Sequence, residues 1–309
     1  MKRRKFVNTS TRAASALFLV PSLGIGRHSI KPEFKVSLAP WSLMRTPHGQ
    51  PDPEGIDLFD YPMAAKELDF EAIELDNLHF EGDLPDQSLI LRMKDRCKEA
   101  EVKNTLILCG ALGDIADTDK KVRDQASESY QRWIEAAAFL GCHQVRVVCS
   151  DHITISREEK MKITVEAVSK LASFSAGHGI ELLIENHNGY TSDPDWLVEM
   201  IKTVDLPNCG ILGDFTEWRM ERDPLVLYPD PYQGYKILAP WVRSVGAKST
   251  HFNQQGNELV TDYPRMFEIL AEVNFNGYVA VEYFGTDLPR KQGIRMTKQL
   301  VDNIIKSYQ

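Results

Sequence analysis

From Phe34 onward the chain alternates short apolar runs with longer amphipathic stretches, and this alternation limits the possible folds more than any other feature. The apolar runs cover residues 35–42, 72–76, 102–109, 144–149, 181–184, 209–215, 242–249 and 278–284. Each has the length of a strand. Several are continuous in Val, Ile and Leu, as strands buried on both faces are. Between them lie segments with helical spacing at 58–68, 86–100, 118–140, 156–176, 195–204, 232–238, 262–273 and 292–307. Asp86 is placed to N-cap its helix, Ser156-Arg157-Glu158-Glu159 reads as a capping box, and Gly141 stops the long third helix. Strands and helices in strict alternation, eight of each with no linker, predict an α/β fold: a single (β/α)8 barrel over residues 34–309. A doubly wound open sheet would need a glycine-rich phosphate loop after the first strand, and none is present.

Residues 1–30 stand apart. Lys2-Arg3-Arg4-Lys5-Phe6-Val7 precedes a mildly apolar stretch at 13–25, in the manner of a twin-arginine export signal. The stretch is too short and too polar for a membrane span. The expectation is a signal peptide over 1–30 and a mature protein that works in the periplasm or otherwise outside the cytoplasm, without membrane attachment. The net charge of -8, with no Lys/Arg-rich patch after the first residues, argues against nucleic acid as a partner. The five cysteines (Cys97, Cys109, Cys142, Cys149, Cys209) are odd in number and include no C-x-x-C pair. They read as small core residues rather than as a disulfide framework or a zinc site.

In a barrel of parallel strands the C-terminal strand ends meet on one face, where ligands bind. The fifth run passes from Leu182-Leu183-Ile184 into Glu185-Asn186-His187 and then Gly189. The sixth ends in Asp214, the seventh at Lys248 and the eighth at Glu282. Carboxylates from neighbouring strands repel unless a cation or a proton lies among them. Oxygen donors suit Mn²⁺ or Mg²⁺, and an imidazole would shift the preference toward Zn²⁺, Co²⁺ or Ni²⁺. Trp41, His79, His187 and Trp218 are candidates for sugar contacts, because aromatic faces cover CH surfaces and imidazoles bond hydroxyls. Glu74, embedded in the second strand, joins them as a substrate-binding candidate.

The chain resembles the xylose-isomerase-like TIM barrels, in particular exported members described as sugar phosphate isomerase/epimerase-like. The resemblance rests on Ile184-Glu185-Asn186-His187, Asp214, Ala247-Lys248-Ser249, Gly277 to Tyr283, the Trp41-Ser42 pair and Gly293 to Lys298. It implies a divalent metal (Mn, Mg, Co or Zn) held by Glu185, Asp214 and Glu282. The family's strand-seven histidine is missing, since the chain reads Gly246-Ala247-Lys248 there. His251 or His187 stands as the replacement ligand; alternatively the Lys248 ammonium enters the carboxylate cluster and reduces the need for a metal. The implied activity is a metal-dependent sugar isomerase or epimerase acting through an enediolate, with Glu185, Glu282 and Lys248 as catalytic groups. Export favours an unphosphorylated sugar or keto-sugar as substrate. The alternatives are a β-elimination lyase or dehydratase on a keto-glycoside or inosose, and a non-catalytic carbohydrate-binding barrel. A homo-oligomer is left open.

Overall fold

The computed structural model describes residues 31–44, 53–80, 84–149, 155–222 and 224–309. The export-signal expectation falls on residues 1–30, outside the described residues. The strands are β1 (Glu33–Leu38), β2 (Ala72–Asp76), β3 (Lys103–Cys109), β4 (Gln144–Val147), β5 (Glu181–Glu185), β6 (Cys209–Asp214), β7 (Arg219–Arg222), β8 (Leu225–Leu227), β9 (Val242–Ser249) and β10 (Asn276–Tyr283). All but β7 and β8 form one closed parallel barrel, running from β1 through β6 to β9 and β10 and back to β1. The predicted (β/α)8 architecture is therefore observed.

The outer layer comprises α1 (Tyr61–Glu67), α2 (Gln87–Ala100), α3 (Lys120–Leu140), α4 (Arg157–Ala176), α5 (Pro194–Val204), α6 (Pro231–Leu238), α7 (Tyr263–Glu272) and α8 (Arg290–Lys306). From α1 to α8, each helix packs on the next in the chain. Their starts are set by side-chain caps. Asp86, Asp119, Ser156, Asp193, Asp230 and Asp262 each accept from backbone N–H groups of the first turn, which would otherwise lack partners. Gly141 ends α3 at φ 84°, a left-handed conformation that glycine adopts without a Cβ penalty. Trp133, Trp196, Tyr130, Tyr235 and Phe267 are fully buried in the layer between helices and strands. All five cysteines are buried, as expected of core residues. Among the described residues no helix is long and apolar enough to cross a membrane.

Three local expectations need correction. The first strand ends at Leu38, and Trp41-Ser42 lie beyond it in a 3-10 turn, Pro40–Ser42. Proline cannot donate to a ladder, which accounts for the early stop. The helix after it starts at Tyr61 rather than near 58. The segment before α6 holds the antiparallel β7–β8 hairpin, which its charged, proline-flanked sequence had concealed.

Candidate functional site

Along a strand, alternate residues face the same side. From β2 this turns Glu74 and Asp76 inward, and from β3 Leu106 and Leu108. The same alternation aims Arg146, the pair Leu183 and Glu185, and the pair Leu212 and Asp214 at the barrel interior. Gly246 and Lys248 of β9 and Ala280 and Glu282 of β10 complete the ring. Leu106, Leu108, Leu183 and Leu212 form an apolar floor, and Trp41 packs against it. Above this floor opens a cavity of about 380 Å³ at the C-terminal strand ends, within the range of small-molecule sites. Its described lining includes Glu74, Asp76, Glu185, Asp214, Glu217 and Glu282, with Arg146 and Lys248 as the cations.

The strand register explains how Lys248 reaches the acids. Asp214 pairs in register with Gly246, and Lys248 pairs with Glu282 one inward-facing position higher. The lysine stem bends back so that Nζ lies 2.7 Å from Glu217 Oε1, 3.2 Å from Asp214 Oδ2 and 4.0 Å from Glu282 Oε2. On the opposite wall Arg146 Nε approaches Glu185 Oε2 at 2.9 Å, a close but poorly aligned charge contact. Its Nη1 donates to the Cys109 carbonyl.

These surroundings set the charge states. Burial pushes Glu282 up to about 7; Lys248 works against that shift, while Asp214 and Glu185 add to it. Burial also raises Asp214, opposed chiefly by Lys248. Burial would raise Glu217 too, but the charge and hydrogen bond of Lys248 hold it below the usual carboxylate range. For Lys248 itself burial works downward, and Asp214, Glu282 and Glu217 together carry it well above an ordinary lysine. It is an ammonium throughout the physiological range. Glu74 is raised well above the usual range by burial and by the nearby Glu282 and Glu185. Its buried Oε1 has no hydrogen-bond partner among the described residues.

The structure brings together Glu185, Asp214, Glu282, Lys248, Glu74, His187 and Trp41, which all line the cavity. Trp41 Nε1 donates to Asp76 Oδ2 at 2.8 Å, which fixes the ring at the mouth. His187 Nδ1 accepts from Asn188 Nδ2, whose amide orientation is set by Arg219 Nε donating to Asn188 Oδ1. A neutral His187 therefore carries its proton on Nε2. Asn186 is structural: its amide bonds the backbone of Asp214 in both directions and reaches the Glu217 carbonyl, tying the end of β5 to the end of β6.

Three candidates lie elsewhere. Trp218 is buried beside the hairpin, donates to the Phe215 carbonyl and packs on Tyr228 and Tyr235. His79 is outside the cavity lining and supports it from behind, its ring 5.2 Å from that of Trp41. His251 is about half exposed and paired with Asp287, away from the carboxylate cluster. The imidazole ligand expected from it is absent because the backbone after Ser249 leaves the barrel, carrying His251 outward.

Glu217 and Arg146 were not among the sequence candidates. Glu217 sits in a turn held by Asp214 Oδ1, which accepts from the backbone N–H groups of Thr216 and Glu217. No local pattern marks it. Arg146 did carry a signal: a cation in mid-strand, in a sheet expected to be covered on both faces.

The residues present do not fit the divalent ion that the resemblance implies. A Cβ at Gly246, where the resemblance implies a histidine, would come 2.9 Å from Asp214 Oδ2. Among the described residues no three His, Cys, Asp or Glu side chains converge in an arrangement able to hold a metal.

A family model of the xylose isomerase-like TIM barrel matches residues 63–301, and the chain belongs to that family. No curated protein sequence matches it. Solved structures of similar fold include a 3-keto-D-glucoside 4-epimerase from E. coli, at 19% identity over 88% of this chain and 100% of that one, with a TM-score of 0.65. An L-ribulose 3-epimerase is 16% identical over 88% and 95%, with a TM-score of 0.70. The IolI protein, solved with a zinc atom, is 17% identical over 89% and 99%, with a TM-score of 0.69.

Proposed function

We propose that the chain is an isomerase or epimerase that moves a proton next to the carbonyl of an unphosphorylated sugar or keto-sugar. The observation that carries this reading is the pair Glu185 and Glu282 in one cavity with the Lys248 ammonium held among the acids. One carboxylate removes the proton beside the carbonyl, Lys248 stabilises the enediolate oxygen that forms, and the other carboxyl returns a proton. Glu282, with a pKa of about 7, is divided between acid and base near neutrality, as a proton shuttle should be. Return to the opposite face of the same carbon gives epimerisation; return to the neighbouring carbon gives isomerisation.

The charge balance supports a neutral substrate. Among the described residues six carboxyl groups line the cavity against two cations, both already engaged by acids, and with Glu74 protonated the acids still outnumber the cations, so a phosphate group would meet net repulsion. The 3-keto-D-glucoside epimerase among the similar folds acts, by its name, on a keto-sugar. The twin-arginine-like leader agrees with this, and we place the activity outside the cytoplasm.

Glu74 favours a second reading. A buried carboxyl kept protonated on the far wall can deliver a proton to a leaving group, which would make the same enediolate the intermediate of a β-elimination on a keto-glycoside or inosose.

Both readings break a carbon–hydrogen bond beside the carbonyl and yield a new product, and a carbohydrate-binding barrel does neither. The test incubates the full chain in D₂O with free ketoses and with 3-keto-glycosides and follows deuterium and products by NMR. Uptake with an inverted or shifted carbonyl neighbour supports the first reading, and release of an aglycone or of water supports the second. If Glu282 is the base, uptake rises with pH through about 7, because the ionised form is needed. Glu282→Gln with unchanged uptake and turnover removes this residue from the mechanism, and binding with neither exchange nor product leaves the carbohydrate-binding barrel.

A further inference from the structure

We propose that this chain has exchanged the divalent ion of its family for a covalently attached cation, the Lys248 ammonium, with Glu217 as the residue that seats it. The inference deepens the reading above and rests on it for its catalytic consequence only; the exchange of cations is tested without substrate.

Four observations converge. The first is position. Lys248 Nζ stands within 4.0 Å of carboxylate oxygens from Asp214, Glu217 and Glu282, which come from β6, the turn after it and β10. A mobile cation neutralising this cluster would have to occupy the same space. The second is the room made for it. Gly246 has no side chain, and even a Cβ there would press on Asp214 Oδ2 at 2.9 Å, the oxygen that Lys248 approaches. With only a hydrogen at Gly246, Asp214 Oδ2 stays open to the lysine head.

The third is that two of the remaining oxygens already face other partners. Asp214 Oδ1 accepts from Thr216 N at 2.6 Å, Thr216 Oγ1 at 3.0 Å and Glu217 N at 3.2 Å. Glu185 Oε2 faces Arg146 Nε at 2.9 Å. The fourth is the seat itself. Glu217 takes the shortest bond from Lys248, 2.7 Å, and its backbone is pinned by Asn186 and Ser192. The Phe284 ring lies 5.1 Å from Nζ and contributes a cation–π contact. Glu217 is therefore a positioning residue that acts through Lys248. An ammonium on a tether brings one charge rather than two, donates directional hydrogen bonds, and cannot be removed by a chelator.

The experiment uses the full chain purified without chelator. Metal content is measured by mass spectrometry. Mn²⁺ binding to wild type, Lys248→Ala and Lys248→Met is followed by the loss of the free-ion electron paramagnetic resonance signal, with circular dichroism melts to verify folding. The expected result is substoichiometric metal in wild type, no saturable Mn²⁺ uptake, and a gain in Mn²⁺ affinity of about 100-fold or more once the ammonium is gone and the acids are exposed to the ion. Wild type carrying one equivalent of metal, or binding Mn²⁺ in a way that Glu282→Gln abolishes, overturns the proposal. So does a folded Lys248→Ala or Lys248→Met chain that gains no Mn²⁺ affinity. If neither variant folds, the two wild-type measurements decide. If no sugar exchanges its proton or yields a product, the functional reading fails while the metal result stands by itself, so the two can be told apart. For Glu217, Glu217→Gln is expected to lower kcat for exchange with little change in KM, and Glu217→Asp to restore part of it; equal kcat in wild type and Glu217→Gln removes its positioning role.

Discussion

Replacing Lys248 with methionine keeps most of the stem and removes the charge, and the structure permits an estimate of the consequence. At the 3.2 Å separation from Asp214, one charge pair at an effective dielectric of about 20 is worth about 5 kcal/mol before desolvation of the ammonium is deducted. Removing one partner of a buried pair leaves a net loss of about 3–5 kcal/mol, because the other partners remain buried and unneutralised. The barrel unit spans Lys31–Gln309. At about 2.1 cal/mol/K per residue its unfolding entropy is about 0.6 kcal/mol/K, so a 4 kcal/mol loss lowers Tm by about 7 °C. The loss also has a definite pH dependence. Without the ammonium Asp214 and Glu282 move further above their unfolded values, and Glu217 loses the charge that holds it below its own. Groups raised in this way contribute stability below the unfolded pKa and lose it as pH rises through the folded one. The deficit of Lys248→Met therefore opens in the acid range where Glu217 ionises and grows through and beyond the value of about 7 at which Glu282 titrates in the wild type. Circular dichroism melts of both proteins across this range, with chelator present, measure it. A deficit under about 1 kcal/mol in the alkaline limb, or one equal at both ends of the range, would show that Lys248 does not neutralise the cluster.

Asn186→Ala removes three hydrogen bonds from a fully buried amide and should cost about 2–4 kcal/mol in urea unfolding, with any loss of activity following from a loosened Glu217 turn. Trp41→Ala, which opens the cavity mouth, should weaken sugar binding about tenfold in calorimetry while costing less stability than Trp218→Ala. Trp218→Ala should cost about 3–5 kcal/mol and leave the affinity of the folded fraction unchanged; the reverse ordering would reassign the two rings.

The barrel and much of its site were legible in the chain because the relevant signals are local. Ala72–Asp76 and Val242–Ser249 appear as strands with the bounds read from the sequence, since an apolar run of strand length between helix caps has few other readings. Asp86, Ser156 and Gly141 mark helix ends because capping is a bond between residues a few positions apart. Once strand order is granted, Glu185, Asp214, Lys248 and Glu282 must rise at one mouth, because parallel strands all end on the same face.

Only the tertiary structure decided which of those side chains touch. The register of β6 against β9 sets Gly246 beside Asp214, and that pairing, invisible in either strand alone, leaves Asp214 Oδ2 open to the lysine head, where a Cβ would come within 2.9 Å of it. Glu217 and Arg146 entered the site through contacts spanning 31 and 37 residues respectively, and Trp218 and His251 left it through the paths of their loops. Local sequence determined the elements and their facing, through backbone hydrogen bonding and hydrophobic periodicity. The charge arrangement at the centre was decided by packing, because electrostatic energy depends on separations through space that the chain's order does not encode.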